Sequence, residues 1–105
     1  MPDSPPPLPQ IDRLIHEPAR LMILTVLSAC ESADFTFLQT ATGLSKGNLS
    51  VQISRLEEGR LIEVDKVIRN KKTLTTIRLT RSGRGKIMKY WATMDDVRRS
   101  QPRNQ

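Results

Sequence analysis

"GLSKGNLSVQISRLEEGRL", residues 43–61, decides how this chain folds. Ser45 is a residue type that caps helices, and after it Leu49, Ile53 and Leu56 recur on one face at about 100° per residue. A helix over 45–58 is therefore predicted, with those three side chains turned to a core. Its opposite face carries Gly47, Val51 and Ser54, edged by Asn48 and Arg55, with Lys46 and Ser50 near the N-terminal rim. Most surface helices dress that side in long Glu and Lys pairs. A face of short, hydrogen-bonding side chains is instead suited to close approach by another surface.

Upstream, "SADFTFLQTATGLS" (32–45) holds Thr36 and, three residues on, Gln39. This is a capping box, and it predicts a helix over 37–42 that Gly43 ends in the left-handed conformation, with Asp34 and Phe35 as an extended stub before it. Two short helices joined by a tight turn containing Gly form a helix-turn-helix, here spanning 36–59. Further back, "PARLMILTVLSACE" (18–31) can begin on Pro18 and is apolar on most faces through Leu21, Ile23, Leu24, Val26, Leu27 and Cys30. Such a helix belongs at the centre of the domain, with Cys30 buried. Ile11, Leu14 and Ile15 predict one more short helix over 10–16, ending near His16, itself a packing residue. Residues 1–9 contain five prolines and read as an extended arm.

Downstream of Gly59 the apolar period changes to two. "LIEVDKVIR" and "TLTTIRLT" predict a hairpin over 61–80 turning at Asn70, Lys71 and Lys72, with further basic residues at 66, 69 and 78. Thr80 or Ser82 then starts a helix over 82–99 with Ile87, Trp91 and Met94 at helical spacing; residues 100–105 read as a frayed tail. The order helix, helix, stub, helix, helix, hairpin, helix is that of a winged helix, an α+β and mostly helical fold in one domain over 10–99.

Charge narrows the chemistry. The chain has 105 residues and a formal net charge of +6, and between Lys66 and Lys89 there are nine basic residues and no acid. A basic balance concentrated in one segment favours a polyanion, here double-stranded DNA. On the first helix face, Val51 suits a thymine methyl, Asn48 an adenine edge, and Arg55 or Lys46 guanine or phosphate. Arg69, Asn70, Lys71 and Lys72 at the hairpin tip suit the backbone, where contacts position without specifying. One cysteine and one histidine leave no metal-ligand spacing, and "SGRGK" (82–86) lacks the spacing of a phosphate loop. No enzymatic site, metal or cofactor is expected. No apolar run approaches the roughly 18 residues of a membrane span, and residues 1–10 do not resemble a signal peptide.

With these residues in view, "HEPARLMIL" (16–24), "DFTFLQTATGLSKGNLSVQISRLEEG" (34–59) and "TTIRLTRSGRGKIMKY" (75–90) resemble small winged-helix DNA-binding regulators related to the MarR and ArsR transcriptional repressors. The likeness covers about residues 14–94 and is most specific at "GNLS" (47–50), "LEEGRLIEV" (56–64) and "LTRSGR" (79–84). It implies a cytoplasmic, homodimeric regulator, more often a repressor, that binds near-palindromic DNA through a recognition helix at 45–58 and a wing at 63–80. The dimer would be built from the terminal helices, with Leu14, Ile15, Tyr90, Trp91 and Met94 as its interface. Two departures matter. Gly59 then Arg60 follow "LEE" where the family has a small residue then Gly, so the helix is expected to end one residue early. The cysteine-rich metal-sensing motif is missing, so metal sensing does not carry over, and no effector can be named. Two other uses fit the same pattern: a winged helix for protein–protein contact, or a non-specific architectural nucleic-acid binder.

Overall fold

Four helices and a three-stranded antiparallel sheet of order β1-β3-β2 make up the computed structural model, which describes residues 10–100. The expected arm at 1–9 and all but the first residue of the expected tail lie outside the described residues. The first helix, α1 (Pro18–Ser28), starts with proline because an N–H there would have no partner in the helix anyway. Its cap is Glu17, whose carboxylate accepts from the N–H groups of Ala19 (3.1 Å) and Arg20 (2.8 Å). Burial pushes this carboxyl up, but those two amides together with the charges of Arg20 and Arg55 outweigh it, and the net shift is downward. A lowered folded pKa adds stability above the unfolded value of about 4.3, which is lost as pH falls through the folded value. Glu17→Ala should therefore cost about 1 kcal/mol at pH 7. Urea denaturation across pH should show the gap from wild type closing below about pH 4; a gap independent of pH would remove the charge from the explanation.

Only one face of α1 is enclosed: Ala19, Ile23, Leu24 and Leu27 are buried, while Met22 is 41% exposed. The all-round burial read from its composition is not realised. Cys30 sits beyond the helix end and is half-buried. The expected helix over 10–16 is a single turn, closed by His16 N–H to Asp12 O at 2.8 Å. The Asp12 carboxylate takes the N–H groups of Leu14 (2.9 Å) and Ile15 (3.3 Å), a local bond that competes with helix propagation. Pro18 then forbids continuation.

β1 (Ala33–Asp34) pairs with β3 (Lys72–Leu79) through Ala33↔Ile77 and Asp34↔Thr76. This pairing holds Asp34 extended, so Asp34, not Thr36, caps α2 (Phe35–Thr42), accepting from Phe37 N–H at 2.7 Å. Gly43 ends α2 in the left-handed region (φ 71°), as its sequence predicts. α3 (Lys46–Glu58) follows Ser45, whose Oγ accepts from Asn48 N–H at 3.1 Å.

α3 closes with two reversed bonds, Arg60 N–H to Glu57 O (2.9 Å) and Leu61 N–H to Leu56 O (3.0 Å), and Arg60 takes the positive φ of 61°. That is a Schellman ending with arginine in the place glycine usually fills. Gly59 is retained for space: a Cβ there would lie 2.3 Å from Leu14 Cδ2. Leu56 and Leu61 then enter the core with Ile15, Leu38, Leu49, Ile62 and Ile77. Each fully buried Leu or Ile stabilises the fold by about 2 kcal/mol.

The wing is β2 (Ile62–Arg69) against β3, in register from Ile62↔Leu79 to Arg69↔Lys72. Its turn is two residues long: Asn70 (φ 50°) and Lys71 (φ 64°) are both left-handed, the type I′ geometry that matches strand twist. Lys72 is thus the first strand residue and not part of the turn. Thr80 caps α4 (Arg81–Arg99), one residue earlier than the 82–99 expected. Ile87 and Tyr90 are buried and Met94 packs on the core, whereas Trp91 is 49% exposed. Tyr90 Oη lies 2.8 Å from His16 Nδ1, which ties α4 to the N-terminal turn.

Candidate nucleic-acid interface

Leu49, Ile53 and Leu56 anchor α3, and that anchorage leaves Ser45, Lys46, Gly47, Asn48, Ser50, Val51, Ser54 and Arg55 all exposed, Val51 by 50%. The phase read from the sequence therefore places the eight residues on one open face. With Asn48 N–H held by Ser45, the Lys46 and Gly47 N–H groups remain at the rim, where a helix's first turn has no internal carbonyls to offer them. Open N–H groups at a helix start favour an anion. A Cβ on Gly47 would meet nothing within 4 Å, so packing does not require glycine there.

Gln52 stands out only in three dimensions. It is half-buried at the edge of the open face, and its Nε2 donates to Asn48 Oδ1 at 3.0 Å. Its Oε1 accepts from Arg20 Nη1 at 2.8 Å. The i, i+4 spacing from Asn48 was the available sequence signal.

Between α3 and the wing runs a cleft of about 540 Å³, lined on one side by Lys46, Ser50, Ser54 and Glu57 and on the other by Lys66, Thr73 and Thr75. Beyond it the hairpin tip projects Arg69, Asn70, Lys71 and Lys72, all exposed. Arg78, counted with the basic wing by sequence, is engaged elsewhere: its guanidinium pairs with Asp65 (2.9 Å) and Glu63 across the hairpin. The acid-free window is thus a property of the sequence that strand pairing undoes at Arg78. Of the five residues assigned to a dimer interface, Ile15 and Tyr90 are buried within the protomer and Leu14 and Met94 pack against its core, which leaves Trp91 exposed.

An open face of short side chains on α3 thus lies beside a basic hairpin. The profile of the winged helix DNA-binding domain matches residues 19–97. The chain belongs to that family. A transcriptional regulator homologue from Pyrococcus horikoshii superposes on this winged helix with a TM-score of 0.78 at 26% identity, over 84% of this chain and 87% of that one. AbsC, a MarR family transcriptional regulator from Streptomyces coelicolor, is 32% identical with a TM-score of 0.61, over 74% of this chain and 54% of AbsC. The present winged helix therefore spans about half of AbsC. An uncharacterised protein of Methanocaldococcus jannaschii is 28% identical over 78 residues, 74% of this chain and 85% of that protein. By family and fold this winged helix is a DNA-binding transcription regulator, similar to the MarR family regulator AbsC, and belongs to a class of proteins that are not enzymes. No helix among the described residues is long and apolar enough to cross a membrane, and no group of three or more His, Cys, Asp and Glu among them could hold a metal ion.

Proposed function

We propose that the chain is a cytoplasmic homodimer that represses transcription by inserting α3 of each protomer into successive major grooves, with the wings on the flanking phosphates. The observation that carries this reading is the open face of α3, whose Gly47, Ser50, Val51 and Ser54 are short enough in side chain for base edges to reach it. Dimerisation through α4 is supported by Trp91 and by Met88, which is 69% exposed, both of which would gain from cover. Anisotropy titration of DNA from upstream of the coding sequence, against a scrambled duplex at about 150 mM salt, tests it. A preference of about 10³ or more is expected. Equal binding to both duplexes would support the architectural alternative.

Gly47 offers a second check. Helix propensity favours alanine there by about 1 kcal/mol, and nothing in the fold opposes a Cβ. Gly47→Ala should therefore raise stability slightly while weakening the specific duplex several-fold, because the methyl holds the helix away from base edges. Unchanged affinity would place Gly47 outside the contact.

One observation favours a second reading. Val67 and Leu74 lie opposite each other on the wing and are each more than 40% exposed, an apolar pair that a protein partner could cover, and Ile68, 77% exposed, stands on the other face. If the wing serves protein contact, neither duplex should bind.

A further inference from the structure

The hydrogen bonds around Gln52 have a direction, and Arg20 sets it. A guanidinium carries donors only, so the Gln52 atom 2.8 Å from Arg20 Nη1 has to be the carbonyl oxygen. That leaves Gln52 Nε2, a donor, facing Asn48 at 3.0 Å, so the Asn48 atom it meets has to be Oδ1. Asn48 Nδ2, with its two N–H groups, is then the end free to address a ligand. Reversing either amide would set donor against donor.

Arg20 is not free to release the arrangement. Its Nε donates to Leu14 O at 2.5 Å, its Nη2 lies 3.5 Å from Arg13 O, and its side chain, 13% exposed, is 3.7 Å from the Glu17 carboxylate. Glu17 is itself held by the first turn of α1. The orientation of an exposed amide on the recognition helix is therefore anchored in the half-buried joint between the N-terminal turn and α1.

We infer that Asn48 is a fixed hydrogen-bond donor and that Gln52 and Arg20 are positioning residues that make it so. The base Asn48 reads is then one that offers acceptors in the major groove, guanine with O6 and N7. This departs from the usual pairing of asparagine with adenine, where amide oxygen and nitrogen must both face the base, the oxygen taking N6–H and the nitrogen giving to N7. With one of the two Oδ1 acceptor sites engaged by Gln52 Nε2, that two-pronged contact is disfavoured, while both Asn48 N–H groups remain available to the guanine acceptors. Gln52 keeps one further N–H beside them.

The inference rests on α3 entering the major groove, and its test separates the two. The full-length protein is used to select from a random duplex pool, alongside Asn48→Ala, Gln52→Glu and Gln52→Met, each first checked for a native melting curve. The position whose preference flattens in Asn48→Ala is the one Asn48 reads. Guanine is expected there with wild type. In Gln52→Glu the carboxylate still pairs with Arg20 but offers Asn48 an acceptor in place of a donor, so the amide turns its Nδ2 toward Glu and preference for guanine over adenine should fall by about 10-fold or more, other positions being unaltered. Gln52→Met removes the same donor without adding charge and keeps the comparison readable if the carboxylate repels DNA. Adenine at that position with wild type, or guanine preference undiminished in both Gln52 variants, would overturn the inference and leave the DNA reading standing. A wild-type pool with no enriched sequence would overturn the DNA reading and the inference with it.

Discussion

Gly83→Ala should lower the melting temperature by roughly 15 °C, whereas Gly85→Ala, two residues further along the same helix, should hold or raise it. The two glycines are indistinguishable in "TRSGRGK", yet they face different surroundings. A Cβ on Gly83 would lie 2.0 Å from Leu61 O and 2.8 Å from Leu61 C, both backbone atoms; one on Gly85 would meet nothing within 4 Å. The Leu61 carbonyl cannot yield easily. It accepts from Thr80 N–H at 3.0 Å, while Thr80 Oγ1 donates to Arg60 O at 2.7 Å and accepts from Gly83 N–H at 2.8 Å. The end of α3, the root of the wing and the start of α4 meet at this joint. Making room for a methyl would lift α4 and draw Ile87 and Tyr90 out of the core, costing about 3 kcal/mol, the upper part of the range for overpacking. In Gly85→Ala the exposed helix interior instead gains about 1 kcal/mol in propensity. Melting curves at equal protomer concentration decide it, and equal temperatures for the two variants would mean that α4 does not press on Leu61 in solution.

Gly83 marks the boundary of what the sequence discloses. Signals that act within a few residues were legible: the Ser45 cap, the left-handed Gly43, the face formed by Leu49, Ile53 and Leu56, and the two wing strands. Signals that depend on a distant partner were not. Thr36 with Gln39 is a sound capping box, but the pairing of Asp34 with Thr76 fixes the preceding backbone and moves the cap upstream. Trp91 and Tyr90 both fit the spacing from Ile87, and only packing against the N-terminal turn puts Tyr90 inside. Arg78 belongs to a basic run along the chain, but the register Glu63↔Arg78 brings an acid across the hairpin. The candidate site divides the same way. Its open face follows from helical phase, while the orientation of Asn48 depends on Arg20, 28 positions away in sequence.

The second large effect is expected at the wing tip, where stability and affinity should move in opposite directions. Lys71 occupies a left-handed position (φ 64°) that suits glycine, and Arg69 lies directly across from Lys72. A non-glycine residue at positive φ costs about 1 kcal/mol, and like charges opposed across strands cost a few tenths more. Folding alone would select a different tip. The combined change Arg69→Thr, Lys71→Gly, Lys72→Thr should therefore stabilise the hairpin by about 1 kcal/mol, seen as a higher urea midpoint. If these three cations lie on phosphate, the same variant should lose about 100-fold in affinity at 150 mM salt, at roughly 1 kcal/mol per contact. The slope of log K against log salt should become shallower by about 0.9 for every contact removed. Base preference in the selected sites should stay as in wild type, because phosphate contacts position a protein without specifying sequence, which the proposed reading assigns to α3. A stabilised variant that binds as tightly as wild type with an unchanged salt slope would show that the tip does not touch DNA. The strained, like-charged turn would then need an acidic partner of another kind.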